Sequence, residues 1–298
     1  MLDLPADYFP IEIYVELTRA EDLPGFLAVL EQLGPEAAVE MGPEPGSALI
    51  AGRSETALLQ IVRQLEDATG AGLTIGPPQV VYRERLGQAA EIDFTHKTQT
   101  GGTGQFARVK LHFEPGEESA GFTFESRIIG GAVPEECVPV VRRGLDRARQ
   151  DGLVAGYPVT DFRAILLDGA YHDTDSSPLA FEIAARGAFR QLKTAADPRL
   201  MAPVVNVRVA VPEEFAEVVR AVVKARGGVE IIPLVPDIGA LATVHASLAD
   251  FLGLEAELDA ATGGKAETTL RFAGMREVPR ASGGGDDGRF PPAVGMRA

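Results

Sequence analysis

The order of short apolar patterns repeats along this chain, and the repeat limits the fold more than any other feature. From Pro10 to about Gly76, segments with strand and helix periodicity follow one another as β-α-β-β-α-β. The same order returns between Pro203 and about Gly274, where helices are predicted over 213–225 and 248–261 and the strand "GVEIIPLV" lies between them. Each copy predicts a ferredoxin-like unit, in which two amphipathic helices cover a four-stranded antiparallel sheet.

Residues 83–202 separate the two copies and follow a different plan. Two strands flank the glycine-rich "TGGTGQ", and a helix over 135–150 precedes the strand "DFRAILLDG". A polar stretch, 168–177, then leads into a helix from Ser177 to about Lys193. We therefore predict an α+β fold with four segments: a ferredoxin-like domain (1–82), an elongated α+β domain (83–202), a second ferredoxin-like domain (203–279) and a disordered tail (280–298).

Composition narrows the classes of function. The formal net charge is −15, which argues against a general nucleic-acid binder because phosphate neutralisation needs Lys and Arg. Most of the acidity is local: residues 1–82 carry 3 basic and 13 acidic side chains, whereas residues 83–202 carry 15 and 17. The middle segment is therefore close to neutral and able to present a basic face.

Cysteine content and hydropathy predict the compartment. The single cysteine, Cys137, excludes an internal disulfide and a cysteine-based zinc cluster, and its apolar neighbours indicate a core position. No run of 18 apolar residues occurs, and the first residues show no leader pattern. We expect a cytoplasmic protein with no membrane partner.

The polar stretch contains the ingredients of an active site. Ser176, His172 and Asp173 are a candidate nucleophilic triad, but sequence adjacency alone does not supply triad geometry. His172 with Asp173 and Asp175 is a candidate metal site, although the chain's histidines lack ligand spacing. Turn and helix-cap chemistry explains the Asp, Ser and Pro residues equally well, but leaves the pair Tyr171–His172 unexplained.

Nucleotide hydrolysis has no support in the sequence. The phosphate-binding pattern G-x-x-x-x-G-K-[S/T] does not occur, and the nearest string, "TGGKAET", precedes a predicted strand where the motif requires a helix. "GGTGQ" at 101–105 is a flexible hairpin connection first and a backbone contact for phosphate second. We expect neither a cofactor nor catalysis from this chain.

Five motifs along the chain resemble, in their order and spacing, those of a known protein family. They are "GPPQVVYRERL", "TGGTGQFARV", "GGAVPEECVPVVRRGL", "VAGYPVTDFRAIL" and "DGAYHDTDSSPLAFEIAARGAF". Together they resemble elongation factor G, the ribosomal translocase, from about Pro10 to about Glu277, and "YHDTDSS" is the most specific part. The resemblance covers the C-terminal half of that family, its domains III, IV and V.

The resemblance implies a role for the two prominent loops of the middle segment. In the family this domain enters the decoding region of the ribosome and contacts transfer RNA and messenger RNA at its tip. Small polar groups and an aromatic or imidazole ring suit such contacts, through 2′-hydroxyls and base stacking. The implied contact residues are Gly101, Gly102, Thr103, Gly104, Gln105, Tyr171, His172, Asp173, Thr174, Asp175 and Ser176, with secondary RNA contacts at Lys224, Arg226 and Lys265.

Departures from the family pattern define the alternatives. The sequence has no counterpart of the GTPase domain, so we expect no GTP hydrolysis by this chain and leave open a separate GTPase partner. Thr103 stands where the family has a basic residue, and basic runs near Lys224 and Lys265 are thinned, which predicts weaker binding to ribosomal RNA. The first hypothesis is a ribosome-binding segment without its own GTPase; the alternative is a regulatory or interaction protein that kept the scaffold and lost RNA binding.

Overall fold

The computed structural model describes residues 8–70, 72–98, 104–227 and 240–279 of the 298-residue chain. The chain forms two compact units. Among the described residues, unit 1 combines those up to Val81 with those over 202–276, and unit 2 comprises those over 82–201 and from Glu277 to Pro279. The predicted disordered tail, 280–298, lies outside the described residues. In the described part of the chain no helix is both long and apolar enough to cross a membrane.

The first half of unit 1 has the predicted ferredoxin-like topology. Its strands pair antiparallel in the order β2-β3-β1-β4, and β5 also pairs with β1. Ile13 lies opposite Ile50 in the register, and both are buried, as are Leu58 and Leu65 of the second helix. The elements are β1 (Ile11–Leu17), α1 (Leu23–Gln32), β2 (Ala37–Met41), β3 (Ser47–Gly52), α2 (Glu55–Thr69), β4 (Leu73–Ile75) and β5 (Gln79–Val80).

Unit 2 is a four-stranded sheet with two helices on one face. The strand order is β7-β8-β10-β9, and β9 and β10 are parallel because α3 connects them across the sheet. Its core joins Val109, Leu111 and Phe113 of the sheet to Phe181 and Phe189 of α4. The elements are β6 (Arg83–Arg85), β7 (Ala90–Thr98), β8 (Gln105–Pro115), β9 (Phe122–Ser126), α3 (Val138–Gln150), β10 (Phe162–Ala170) and α4 (Pro178–Ala195).

The two helices of unit 2 approach each other closely at Gly144. A Cβ on this residue would lie 2.9 Å from the carbonyl oxygen of Glu182 and 3.0 Å from the Cβ of Ala185. Any larger residue would therefore push α3 away from α4. Glycine at this position sets the spacing of the helix pair.

A buried carboxylate fixes an irregular loop of unit 2. Glu84 in β6 is fully buried and accepts hydrogen bonds from the backbone N–H groups of Leu153 (2.6 Å), Val154 (2.9 Å), Ala155 (2.8 Å) and Tyr157 (3.2 Å). Four donors replace the water that the carboxylate loses on burial. Gly152, with φ +70°, opens the loop, and a Cβ there would lie 2.7 Å from the carbonyl oxygen of Tyr157. The loop is therefore held by a residue about seventy positions away in sequence.

The cysteine lies in the core, as its neighbours predict. Cys137 is buried in the turn that precedes α3 and belongs to the apolar core of unit 2. Burial raises the pKa of its thiol, so the neutral form is favoured. A neutral, buried thiol acts as a small apolar residue.

The second half of unit 1 repeats the helix and strand pattern. The described strands pair in the order β12-β11-β13, and β11 pairs antiparallel with β12. The predicted strand "GVEIIPLV" (228–235) lies outside the described residues. The helix predicted from Glu213 begins three residues later, after a 3-10 turn at Glu213–Phe215. The elements are β11 (Arg199–Val211), α5 (Ala216–Ala225), β12 (Ala240–Ser247), α6 (Leu254–Thr262) and β13 (Glu267–Glu277).

Candidate nucleic-acid interface

The polar stretch forms the connection between β10 and α4. The Ser177 hydroxyl accepts the N–H of Ala180 at 3.2 Å, and Pro178 is the first helical residue. This arrangement confirms the predicted cap. The cap places residues 171–176 at the end of unit 2 where β10 stops and α4 begins.

Hydrogen bonds hold this loop in one shape. The N–H of His172 donates to Ser176 Oγ at 2.8 Å, and the N–H groups of Asp175 and Ser176 donate to the His172 carbonyl at 3.2 and 3.0 Å. Ser176 Oγ in turn donates to the carbonyl of Phe106 at 2.6 Å, while the Phe106 N–H donates to the Asp175 carbonyl at 2.9 Å. The loop is thus tied to the first residues of β8.

The described end of the glycine-rich loop lies beside it. A Cβ on Gly104 would lie 3.2 Å from Asp175 Cγ, so the two loops are adjacent. Gln105 opens β8 opposite Thr98, and its Oε1 lies 2.9 Å from His96 Nε2. The other predicted contacts of this loop, Gly101, Gly102 and Thr103, lie outside the described residues.

Tyr171 and His172, the two residues that turn and helix-cap chemistry do not explain, face solvent. Tyr171 is 46% exposed, and the His172 side chain is 63% exposed. Asp173 and Thr174 are also exposed, whereas Asp175 and Ser176 are half-buried because their groups fix the loop. The loop therefore presents two rings on a rigid support.

The geometry does not assemble a catalytic triad. His172 Nδ1 lies 3.1 Å from Thr174 Oγ1 and 3.7 Å from Asp175 Oδ2, while the Ser176 hydroxyl donates its proton to a backbone carbonyl. A nucleophilic serine requires that hydrogen bond to reach the imidazole. Among the described residues no three His, Cys, Asp or Glu side chains cluster as metal ligands. The stretch is a hydrogen-bonded loop with exposed ring and polar side chains.

A third loop, which the sequence pattern did not predict, reaches the same end of unit 2. A Cβ on Gly169, near the end of β10, would lie 2.4 Å from Val133 Cγ2, so residues 127–133 pass beside this strand end. In this loop Ile129 is 89% exposed, and the next two residues, Gly130 and Gly131, both have φ +72°. The hydropathy of the run "RIIGGAV" (127–133) is typical of a core segment. The pair of glycines within it is the signal in the sequence that indicates a turn.

Most of the residues predicted as secondary RNA contacts pair with acidic side chains. Arg226 pairs with Glu257 at 2.6 Å and donates to the Leu252 carbonyl at 2.6 Å. Lys265 lies 3.1 Å from Glu214 and 4.9 Å from the centre of the Phe215 ring. Lys224 is exposed in the last turn of α5. Their RNA contacts stay predictions, and the structure gives Arg226 and Lys265 other partners.

Charges on the open face of the unit 2 sheet are paired. Lys110 Nζ lies 2.8 Å from Glu91, and Arg108 bridges Asp93 at 2.7 Å and Asp168 at 3.3 Å. The Arg108 hydrogen bond lowers the pKa of Asp93. We call this surface the sheet face; its paired side chains are Glu91, Asp93, Arg108, Lys110, Glu114, Glu125, Arg127, Arg163 and Asp168.

Comparisons with known proteins identify relatives of both units. Residues 78–197 match the family model "Elongation factor G, domain IV", and residues 199–282 match "Elongation factor G C-terminus". An elongation factor G of Hyphomonas neptunium is 46% identical over 274 residues, covering 91% of this chain and 39% of the relative. An elongation factor G of Wolbachia pipientis is 38% identical, covering 91% and 40%. The chain thus spans about two fifths of the length of these relatives.

A solved structure supports the same relationship. A crystal structure of a protein from Thermus thermophilus shares 34% identity and superposes with a TM-score of 0.68, over 94% of this chain and 42% of that one. Both family models describe parts of one translation elongation factor, and the two ranges adjoin each other. The chain therefore belongs to the elongation factor G family, and it carries the family's domain IV and C-terminal domain.

Proposed function

We propose that this chain is a translation factor segment that binds the ribosome and places the tip of unit 2 near the decoding site, without hydrolysing GTP itself. The observation that carries the proposal is the rigid loop 171–176, which presents the exposed Tyr171 and His172. Exposed rings on a fixed loop suit stacking on unpaired bases, and the neighbouring hydroxyls and carboxylates suit 2′-hydroxyl contacts. In this proposal transfer RNA and messenger RNA are the partners at the tip, and any GTPase activity comes from a separate partner.

Ribosome co-sedimentation of the full chain tests the proposal. At low salt we expect the wild-type chain to pellet with ribosomes. His172→Ala should weaken pelleting by about tenfold, since base–aromatic stacking contributes roughly 1–3 kcal/mol for each base. His112→Ala is the matched control, because His112 lies in β8 of the same unit, away from the loop. A wild-type chain that stays in the supernatant, or equal losses in both variants, would refute the proposal.

The alternative function is a regulatory or interaction protein that kept the scaffold and lost ribosomal RNA binding. The ion pairs of Arg226 with Glu257 and of Lys265 with Glu214 favour it, because each removes a cation from phosphate binding. The two candidates differ in their response to salt. Pelleting that vanishes between about 50 and about 200 mM salt supports ribosome binding through phosphates, whereas no pelleting at either salt supports the alternative.

A further inference from the structure

The groove between α3 and α4 concentrates positive charge. Two arginines line its α3 side and three cations line its α4 side, at positions three or four residues apart, so that they share one face of each helix. We call this set the groove cluster: Arg143, Arg147, Arg186, Arg190 and Lys193. The cluster lies on the face of unit 2 opposite the sheet face, because both helices cover the other side of the sheet.

Few acidic groups neutralise the groove cluster. Glu182 lies within it and is shared, at 2.6 Å from Arg147 and 3.7 Å from Arg143. Asp151, beyond the end of α3, lies 3.9 Å from Arg186. Two carboxylates therefore face five cations. The nearest other acidic groups on these elements are Asp146, which pairs with Arg149 at 2.7 Å, and Glu135 and Glu136 in the turn before α3.

Two cations of the cluster have unused binding capacity. Arg190 and Lys193 are exposed, and the described part of the chain provides no acidic partner for either. A guanidinium with open donors binds phosphate oxygens in a bidentate manner. The cluster is therefore available to an external anion.

The dimensions fit a polyanion. At a rise of about 1.5 Å per residue, Arg186 and Lys193 lie about 10 Å apart along α4, and Arg143 extends the row at the level of Glu182. Lys193 lies about 22 Å along α4 from Pro178 at the tip. The row therefore exceeds the length of one phosphate group and lies behind the tip loops.

The surface suits RNA better than an acidic protein. Leu179 is the one large apolar side chain of α3 and α4 that is strongly exposed among the described residues, and it lies at the tip end. Protein interfaces need an apolar or aromatic centre, whereas contacts to helical RNA are made with phosphates and sugars by cations and polar groups. The cluster offers cations without such a centre.

We infer that the groove cluster binds the sugar-phosphate backbone of a ribosomal RNA helix while the tip loops occupy their own site. This inference rests on the proposed function and adds a second RNA contact to it. The contact is independent of base sequence, because phosphate contacts position a nucleic acid and carry no base information. The middle segment is close to neutral by itself, since residues 83–202 carry 15 basic and 17 acidic side chains and most of the chain's net negative charge belongs to residues 1–82.

Salt titration of RNA binding tests the inference. The full chain is titrated against a fluorescent RNA duplex of about 16 base pairs, from about 50 to about 200 mM salt. Arg190→Gln with Lys193→Gln removes two exposed charges without breaking an ion pair of the described residues. The slope of log K against log salt should fall by about 1.4–1.8, and affinity at about 0.1 M salt by about 25- to 60-fold.

A double variant of the sheet face is the matched control. Lys110→Gln with Arg163→Gln removes the same charge from paired residues of that face, and we expect a slope within about 0.5 of wild type. Equal slopes for the wild-type chain and the groove variant, or an equal fall in the control, would overturn the inference. Binding of poly-glutamate that the groove variant loses, without RNA binding, would assign the groove to an acidic protein and also overturn it.

Two further experiments identify the source of the RNA and distinguish a failure of the groove inference from a failure of the proposed function. Competition by ribosomal subunits but not by free transfer RNA supports the ribosomal helix, and competition by transfer RNA alone overturns it. Ribosome pelleting that depends on His172 but not on Arg190 and Lys193 would leave the proposed function intact and refute the groove. Duplex binding through the groove without pelleting would refute the proposed function and the ribosomal source together.

Discussion

The two faces of unit 2 use similar numbers of cations in opposite ways. On the sheet face, Arg163 lies directly across from Glu114 in the strand register and pairs with it at 3.2 Å, and Lys110 pairs with Glu91 of the neighbouring strand, so each cation meets an anion. In the groove, three of the five cations share two carboxylates, and the described residues give Arg190 and Lys193 no acidic partner. Cross-strand pairs neutralise each other within one layer, whereas neighbouring helices with like-charged rows leave a field for a partner. A segment with nearly balanced charge can therefore still have a strongly charged face.

The largest expected effect is on the helix pair itself. Gly144→Val places a branched side chain where even a Cβ lies 2.9 Å from the carbonyl oxygen of Glu182. We expect a loss of about 1–3 kcal/mol in the free energy of unfolding and weaker duplex binding, because the groove widens. Urea unfolding and the duplex titration measure the two effects.

The control for this variant is Gln150→Val. Gln150 is exposed at the end of the same helix, so valine there changes helix propensity by only a few tenths of a kcal/mol. If both variants unfold at the same urea concentration, the close approach at Gly144 does not set the helix spacing.

The next effect sharpens the contrast between the two faces by removing an anion from the groove. Glu182→Gln keeps a hydrogen-bond acceptor near Arg147 but frees one positive charge. Duplex affinity at about 0.1 M salt should rise about five- to eightfold, which corresponds to one additional phosphate contact. Asp93→Asn, the same change on the sheet face, should leave duplex affinity within about twofold, and a larger rise there would contradict the comparison.

The smallest effect is the pH dependence of the sheet face. Because the folded-state pKa of Asp93 is lowered by Arg108, its contribution to stability is complete above the unfolded pKa and is lost as pH falls through the folded pKa. Both side chains are partly exposed and screened, so we expect about 0.5 kcal/mol. Urea unfolding of wild type and Asp93→Asn should differ at pH 7 and converge near pH 2. Glu117 is an exposed carboxylate in the turn after β8, and Glu117→Gln should change the free energy of unfolding at pH 7 by less than Asp93→Asn does.

Local signals predicted the repeat, the helices and their caps. The Ser177 cap depends on an N–H three residues away, so the sequence contains the whole interaction. The strand order of the first ferredoxin-like half follows from the repeated pattern in the same way. Helix starts were wrong by a few residues where a 3-10 turn comes first, as before α5 and α6.

Long-range features were not predictable from one sequence. The clamp of Glu84 joins a short charged strand to a loop about seventy residues later, and a lone glutamate gives no sign of burial. The groove cluster was missed because its two rows lie in helices about forty residues apart, and each row alone resembles an ordinary solvated helix face. Ile129 was missed because an exposed isoleucine in an apolar run looks like core.

The Glu84 clamp also determines how slowly part of unit 2 exchanges amide hydrogens with solvent. The amides of Leu153, Val154, Ala155 and Tyr157 belong to no helix or strand, yet each is bound to a buried carboxylate. Exchange at these four positions requires the loop to separate from Glu84, so we expect their amides to be protected although they belong to no helix or strand. Gly156 lies in the same loop and is not among the four, so a protection pattern broken at that residue would be the signature of the clamp in solution.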